Sequence, residues 1–205
     1  MEKAFGKDDV NVGALIPMKD AVRYKTRWTI EKFKGDFKTR EEAVKAKAEL
    51  IEKLEIDGNL LLNEGINSIW MLVCSGATAT VLVFNNTNSY IGVGDSATAA
   101  SATDTGLLGT NKLYKAMDAG YPTFGSNQQA VFRSTFGSAD ANFAWNEITV
   151  ADGSTDSSMN LNRKVQAMGT KASGKVSGKT MMPHNYMGSD VNDNAILNLC
   201  FLPCD

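Results

Sequence analysis

Residues 85–147 constrain the fold most, because aromatic and aliphatic residues return there at short intervals between clusters of Asn, Gly, Asp and Ser, as in FNNTNSYIGVGDS and AVFRSTFGSADANFAWNE. Short apolar runs separated by residues that cap their own backbone or take left-handed φ are the punctuation of an all-β domain. Residues 80–84 and 89–93 flank Asn85-Asn86-Thr87-Asn88 and read as a hairpin. Residues 130–136 alternate Val131, Arg133 and Thr135 with Phe132, Ser134 and Phe136, which predicts a strand. Residues 141–150, with Phe143 and Trp145 on one face and Ala144 and Ile148 on the other, read as the central strand of a sandwich core. A short run at 112–117 and a last strand at 161–168 complete the body, and 95–111 is a long small-residue loop of the length that usually contacts something.

The flanks read differently. Residues 1–20 mix glycines, a proline and charges around a short apolar run and are expected as an extended arm. In 22–30, Val22, Tyr24, Thr26, Trp28 and Ile30 form a buried face, and Arg23, Lys25 and Arg27 form a basic outer row. That row is either a solvated strand face or a contact for an acidic partner. Thr39-Arg40-Glu41-Glu42 has the form of a capping box, and Ala43, Ala46, Leu50 and Leu54 follow at helical spacing, so one amphipathic helix is expected from Thr39 to a stop at Gly58. Residues 60–73 read as a second, buried helix in which Glu64 is a structural hydrogen-bond acceptor. Beyond Gly169 the period fades, and the apolar end AILNLCFLPCD reads as an arm docked on a neighbour, through Phe201 and Leu202, or as a disordered tail.

The expected architecture is therefore mainly β: an antiparallel, jelly-roll-like β-sandwich over 59–174, a small α+β attachment at 21–58, an N-terminal arm at 1–20 and a C-terminal arm at 175–205. Trp28, Trp70, Phe132, Phe136, Phe143 and Trp145 are its expected core.

Composition bounds the function. At 43% hydrophobic the chain can bury a core, and 21 basic against 23 acidic side chains create no field to gather nucleic acid or an anionic membrane. The N-terminal residues lack an apolar run of signal-peptide length, and no stretch of about 18 apolar residues occurs, so a soluble protein made in the cytoplasm is expected. Three cysteines, Cys74, Cys200 and Cys204, are too few for a disulfide framework. Chemistry is poorly provided for. The one histidine, His184, could join Cys200 and Cys204 at a metal, but a C-x₃-C without a second pair is weak, and no metal or cofactor site is expected. Gly92-Val93-Gly94-Asp95-Ser96 matches neither a dinucleotide fingerprint nor a phosphate loop and reads as strand end and turn. Asp95 with Glu147 or Asp140 could be written as a glycosidase pair, though a chain with 23 acids offers many such pairs, and no catalytic residue is expected.

The ordered series GNLLLNEGIN (58–67), FNNTNSYIGVGDS (84–96), TNKLYKAMDAGYPT (110–123), FRSTFGSADANFAWNE (132–147) and LNRKVQAMGTKASG (161–174) resembles a group of virion-associated proteins of tailed bacteriophages, usually labelled as hypothetical structural or tail-fibre proteins. The resemblance covers about residues 22–174. It implies a non-enzymatic, β-rich component of the virion, assembled in the host cytoplasm. Such a chain is expected either to decorate the capsid, binding the major capsid protein and its own copies as a homo-oligomer, or to serve as a tail fibre or tail tip that binds a host receptor through loops 95–111 and 151–160. The group's pattern also implies a Thr- and Val-rich closing strand after GTKASG, which 175–205 does not spell.

Overall fold

The computed structural model describes residues 25–125, 129–172 and 193–202, with Lys25 and 193–202 described by their backbone alone. In chain order the elements are β1 (Lys25–Lys34), α1 (Arg40–Lys45), β2 (Leu50–Asp57), β3 (Leu60–Leu61), α2 (Asn63–Cys74), β4 (Tyr90–Gly94), β5 (Lys112–Ala116), β6 (Thr123–Phe124), β7 (Ala130–Phe136), β8 (Glu147–Ala151), β9 (Asn162–Val165) and β10 (Asp193–Leu202). The strands form two antiparallel sheets, ordered β2-β1-β10-β7-β6 and β3-β9-β8-β4-β5. The expected mainly β, antiparallel class is thus the observed one. The expected N-terminal arm, Arg23, His184 and Cys204 lie outside the described residues.

One core joins the sheets. Trp28, Ile30, Ile56, Phe132 and Phe136 of the first sheet pack in a single cluster with Ile91, Val93, Ile148 and Val150 of the second, together with Trp145. The Phe136 and Trp145 rings meet edge to face at 5.0 Å, and full burial of such side chains contributes about 1.5–3 kcal/mol each. Phe143 is half-buried against this cluster.

β1 alternates as its sequence demands over Thr26, Trp28 and Ile30, all buried. From Glu31 both faces are covered. Arg40 of α1 pairs with Glu31, Lys32 pairs with Glu52 at 2.6 Å, and Phe33 packs on Ala43. Thr39 caps α1 by accepting from the Glu42 N–H at 3.2 Å, while the Glu42 carboxylate accepts from the Lys38 N–H and not from Thr39.

The helix expected over 39–58 is corrected. α1 ends at Lys45, Lys47 takes φ 54°, and 50–57 is the strand β2. Leu50 and Leu54, four apart, satisfy a helical period and a strand period alike. Pairing decides, because β2 occupies the edge of β1 from Arg27↔Asp57 to Phe33↔Leu50 and puts Leu54 and Ile56 against the core. Residues 25–57 are therefore built into the first sheet and are not an attachment upon it. Gly58, at φ 73°, ends a strand, its N–H donating to the Thr26 carbonyl.

Three further expectations change. Residues 80–84 are irregular and form no hairpin, although Asn85 does make the turn by accepting from the Thr87 and Asn88 N–H groups. β8 starts at Glu147 and not at Ala141, because Ala141 takes φ 48° and its carbonyl accepts the Trp145 indole N–H at 2.9 Å. The terminal apolar patch is not an arm: β10 lies between β1 and β7, with Lys25↔Leu202 on one side and Phe201↔Ala130 on the other. Apolar β-formers spell this closing strand where a Thr- and Val-rich one was expected.

Candidate functional site

The polar interior lies in the second sheet. Glu147 on β8 and Arg163 on β9 are fully buried, with Arg163 Nε and Nη2 at 2.8 and 2.7 Å from Glu147 Oε2. Arg163 also donates to Asp104 at 2.8 Å and to the Thr98 carbonyl at 3.1 Å, and Glu147 accepts from the Leu108 and Gly109 N–H groups. The long loop 95–111 is thereby fastened to the sheet. The glycines of the GVGDS segment gain a reason: a Cβ on Gly94 would stand 2.3 Å from the Glu147 carboxylate, and one on Gly92 would stand 2.7 Å from the Tyr114 ring. They make room for side chains, as a strand end beside a buried ion pair requires.

The adjoining loop is tied down in the same way. Asp152 accepts from the Leu82 and Met159 N–H groups, and Asp156 accepts from the Tyr114 hydroxyl at 2.9 Å and pairs with Lys112. Burial, then the Asp156 hydrogen bond, hold the Tyr114 phenol well above its usual range.

On the first sheet Arg133 is buried. It gives Nε to Asp118 at 2.9 Å and both Nη atoms to Glu41 at 2.7 and 2.9 Å, and it lies 4.1 Å over the Tyr121 ring. The Arg133 hydrogen bonds lower the Glu41 carboxyl, whereas burial raises Asp118 despite its bonds to Thr135 and Arg133. A cleft of about 520 Å³ opens beside this cluster, lined by Lys38, Thr39, Lys115, Asp118 and Asp140 among others.

Of the acids that could be written as a pair, Asp95 and Glu147 both approach Gly109, but each is engaged: Asp95 accepts from the Asn111 backbone and side chain, and Glu147 pairs with Arg163. Asp140 instead pairs with Lys115 and accepts from the Gly137 N–H. These carboxylates hold loops in place. Arg27 of the outer basic row pairs with Asp57 at 2.8 Å, within its own sheet. Cys200 lies in β10, and Cys74 is exposed. Among the described residues no three His, Cys, Asp or Glu side chains cluster as a metal site would need, and no helix is long and apolar enough to cross a membrane.

α2 is the surface that remains unexplained by internal packing. The helix expected over 60–73 forms over Asn63–Cys74, because residues 60–61 pair with β9 as β3, and it is not buried. Its inner side is small: Gly65 and Ser68 are buried, and a Cβ on Gly65 would stand 2.1 Å from the Leu161 carbonyl oxygen, so the helix backbone rests directly on the chain leading into β9. The Leu62 N–H donates to Leu161, the Asn63 N–H to Ala102, and Glu64 accepts from the Asn160 N–H at 2.7 Å. The outer side is apolar. Trp70, expected in the core, is 61% exposed, and Val73, Ile69 and Ile66 are 71%, 41% and 37% exposed. The close seat for Gly65 turns the large side chains outward. The stripe Ile66, Ile69, Trp70, Val73 follows the i, i+3, i+4, i+7 spacing of an interface helix, a signal present in the sequence and obscured by reading the whole segment as apolar all round.

Glu64 is the acceptor it was expected to be. Burial raises its carboxyl, outweighing the Asn160 hydrogen bonds that lower it. An acid with a raised folded-state pKa weakens the fold at neutral pH and stops doing so once both states are protonated. Glu64→Gln, which keeps an acceptor oxygen, is therefore expected to raise the melting temperature by about 1–2 °C at pH 7. The gain should vanish below pH 4, as thermal melts at the two pH values would read.

Comparison with protein-family models, with curated proteins and with solved structures finds no match.

Proposed function

We propose that the chain is a non-enzymatic structural component of a tailed-phage virion, a capsid decoration protein that binds the major capsid protein and its own copies and so stabilises the head. The observation that carries this reading is the outward face of α2, where Ile66, Ile69, Trp70 and Val73 stand exposed on a helix whose inner side is already seated. An apolar helical stripe with a central Trp is how a soluble body presents itself to another protein. The buried charges add support: Glu147–Arg163 and Asp118–Arg133 are spent on stiffening loops and strands, as suits a building block. The sequence resemblance supports a virion component and is common to decoration and tail-fibre readings.

A second reading, a tail-fibre or tail-tip protein that binds a host receptor, is favoured by one feature. Lys112 and Tyr114, beside loop 95–111, both bind Asp156, which joins that loop and 152–159 into one fixed polar surface. Copy number separates the two. Quantitative mass spectrometry of purified particles is expected to find hundreds of copies, lost with the shell and retained when tails are removed. A few copies that follow isolated tails would overturn decoration in favour of the second reading.

A further inference from the structure

We infer that the slot between β1 and β7 also takes its strand from a second copy of this chain, so that copies held close together exchange β10 reciprocally. Exchange goes beyond the proposed function, and the purified chain alone suffices to test it. Beyond the strand pairing itself, both walls of the slot are held from outside. On the inner side Trp28 and Ile30 of β1 and Phe132 and Phe136 of β7 share one cluster with Ile91, Val93, Ile148 and Val150 of the second sheet. On the outer side α1 runs from wall to wall: Arg40 pairs with Glu31 of β1, and Glu41 takes both Nη atoms of Arg133 of β7. The Ser138 N–H, just past β7, donates to Asp36, just past β1. Between these walls every residue of 193–202 has a backbone partner on β1, and 195–201 have a second on β7. The occupant is thus specified by register.

The connection to β10 is far longer than its path. Lys171 Nζ stands 3.5 Å from the Ser138 carbonyl, and Ser138 lies two residues beyond Phe136, the partner of Ala195. Residues 172 and 193 are therefore within roughly 20 Å of each other, a gap that about six extended residues cross. Twenty residues, 173–192, join them, with Gly174, Gly178 and Gly188 among them. A flexible chain of that length has a root-mean-square span of roughly 25 Å and a reach of roughly 65 Å. Connections inside a domain usually take about 2–6 residues, and the surplus is what reaching a neighbour's slot requires. Own and exchanged strands make the same pairs, so concentration sets the balance between them. A tether of this length offers β10 to its own slot at a roughly millimolar effective concentration. Copies crowded on a shell pass that threshold.

A disulfide can record whose strand fills the slot. Cys200 is the register partner of Arg27 on β1 and of Val131 on β7, and directly opposed antiparallel residues lie within disulfide range. The full chain carrying Arg27→Cys, with Cys74→Ser and Cys204→Ser, is prepared unlabelled and nitrogen-15-labelled, and the two are mixed in equal parts. The mixture is held a few degrees below its melting transition at about 10 µM or about 2 mM, on either side of the threshold, then cooled and oxidised. Peptide mass spectrometry reads whether the disulfide from position 27 to Cys200 joins like or unlike labels. About a quarter of these pairs are expected to be mixed at the higher concentration and about 1% or fewer at the lower. Sedimentation should show a matching rise of a species at twice the 22.1 kDa chain mass. Val131→Cys should give the same result from the other wall. Mixed pairs that do not rise with concentration in either variant overturn exchange. Failure of both variants to bond Cys200 also overturns it, because β10 then does not fill the slot. Exchange by a chain that is absent from particles would end the proposed function alone.

Discussion

Arg163→Ala is expected to be the most damaging single substitution in the second sheet. It leaves the Glu147 carboxylate buried with only the Leu108 and Gly109 N–H groups as partners, removes the Arg163 donor from the Thr98 carbonyl, and leaves Asp104 with the Ser101 N–H alone. Removing one partner of a buried ion pair costs about 3–5 kcal/mol, because the remaining charge can no longer offset its desolvation. In a chain of this size that corresponds to a fall of roughly 6–20 °C in melting temperature. Loop 95–111 should loosen at the same time, visible as faster amide exchange at Leu108 and Gly109. The paired variant Arg163→Met with Glu147→Gln should recover at least half of the loss. Gln removes the charge and still accepts from one of the two N–H groups, although it cannot serve both as the carboxylate does. A single variant that melts within about 2 °C of the wild type would mean that the ion pair is no anchor.

Gly65→Ala is the second large effect, and its sign is a contest of two terms. Helix propensity alone favours Ala over Gly by about 1 kcal/mol. Against this, the new methyl would stand 2.1 Å from the Leu161 carbonyl oxygen and 2.7 Å from its carbon, both backbone atoms that cannot rotate away. Overpacking of this kind costs about 1–3 kcal/mol and more where backbone must move. Sterics should win, for a net loss of about 2–3 kcal/mol and a fall of roughly 4–12 °C. Asn67→Ala, an exposed position on the same helix, is the control and should be neutral or slightly stabilising. A stabilised Gly65→Ala protein would show that α2 does not rest on the chain before β9.

The parts of the fold that announced themselves were those in which one local rule had no competitor. β7 fills 130–136, as its apolar and polar alternation predicts, and Thr26, Trp28 and Ile30 share the inner face of β1. Where two periods fit, the sequence could be read either way: Leu50 and Leu54 suited a helix until the free edge of β1 required a strand. α2 was legible as a helix, yet its orientation depended on the absent side chain of Gly65 meeting Leu161, a contact across 96 positions that no periodicity records. Arg163 sat in plain view in the segment LNRKV, but nothing local distinguishes a buried arginine from a solvated one. Glu147 and the glycines that admit it become intelligible only when β4 and β8 lie side by side.

The position of β10 has a consequence for how the molecule comes into being. The first sheet consists of two locally connected pairs, β1 with β2 and β6 with β7, and these meet only through the strand that pairs Lys25 with Leu202. During synthesis the facing edges of β1 and β7 must wait until residues 193–202 have emerged. Contacts this distant along the chain close slowly, because the loop entropy is lost before the pairing rewards it. In that interval Trp28 and Phe136 belong to half-sheets without a common floor, and the open edges can recruit strands from other nascent chains. The yield of correctly closed protein is therefore governed by the lifetime of that gap, so conditions that slow association between chains should favour folding more than those that strengthen the finished core.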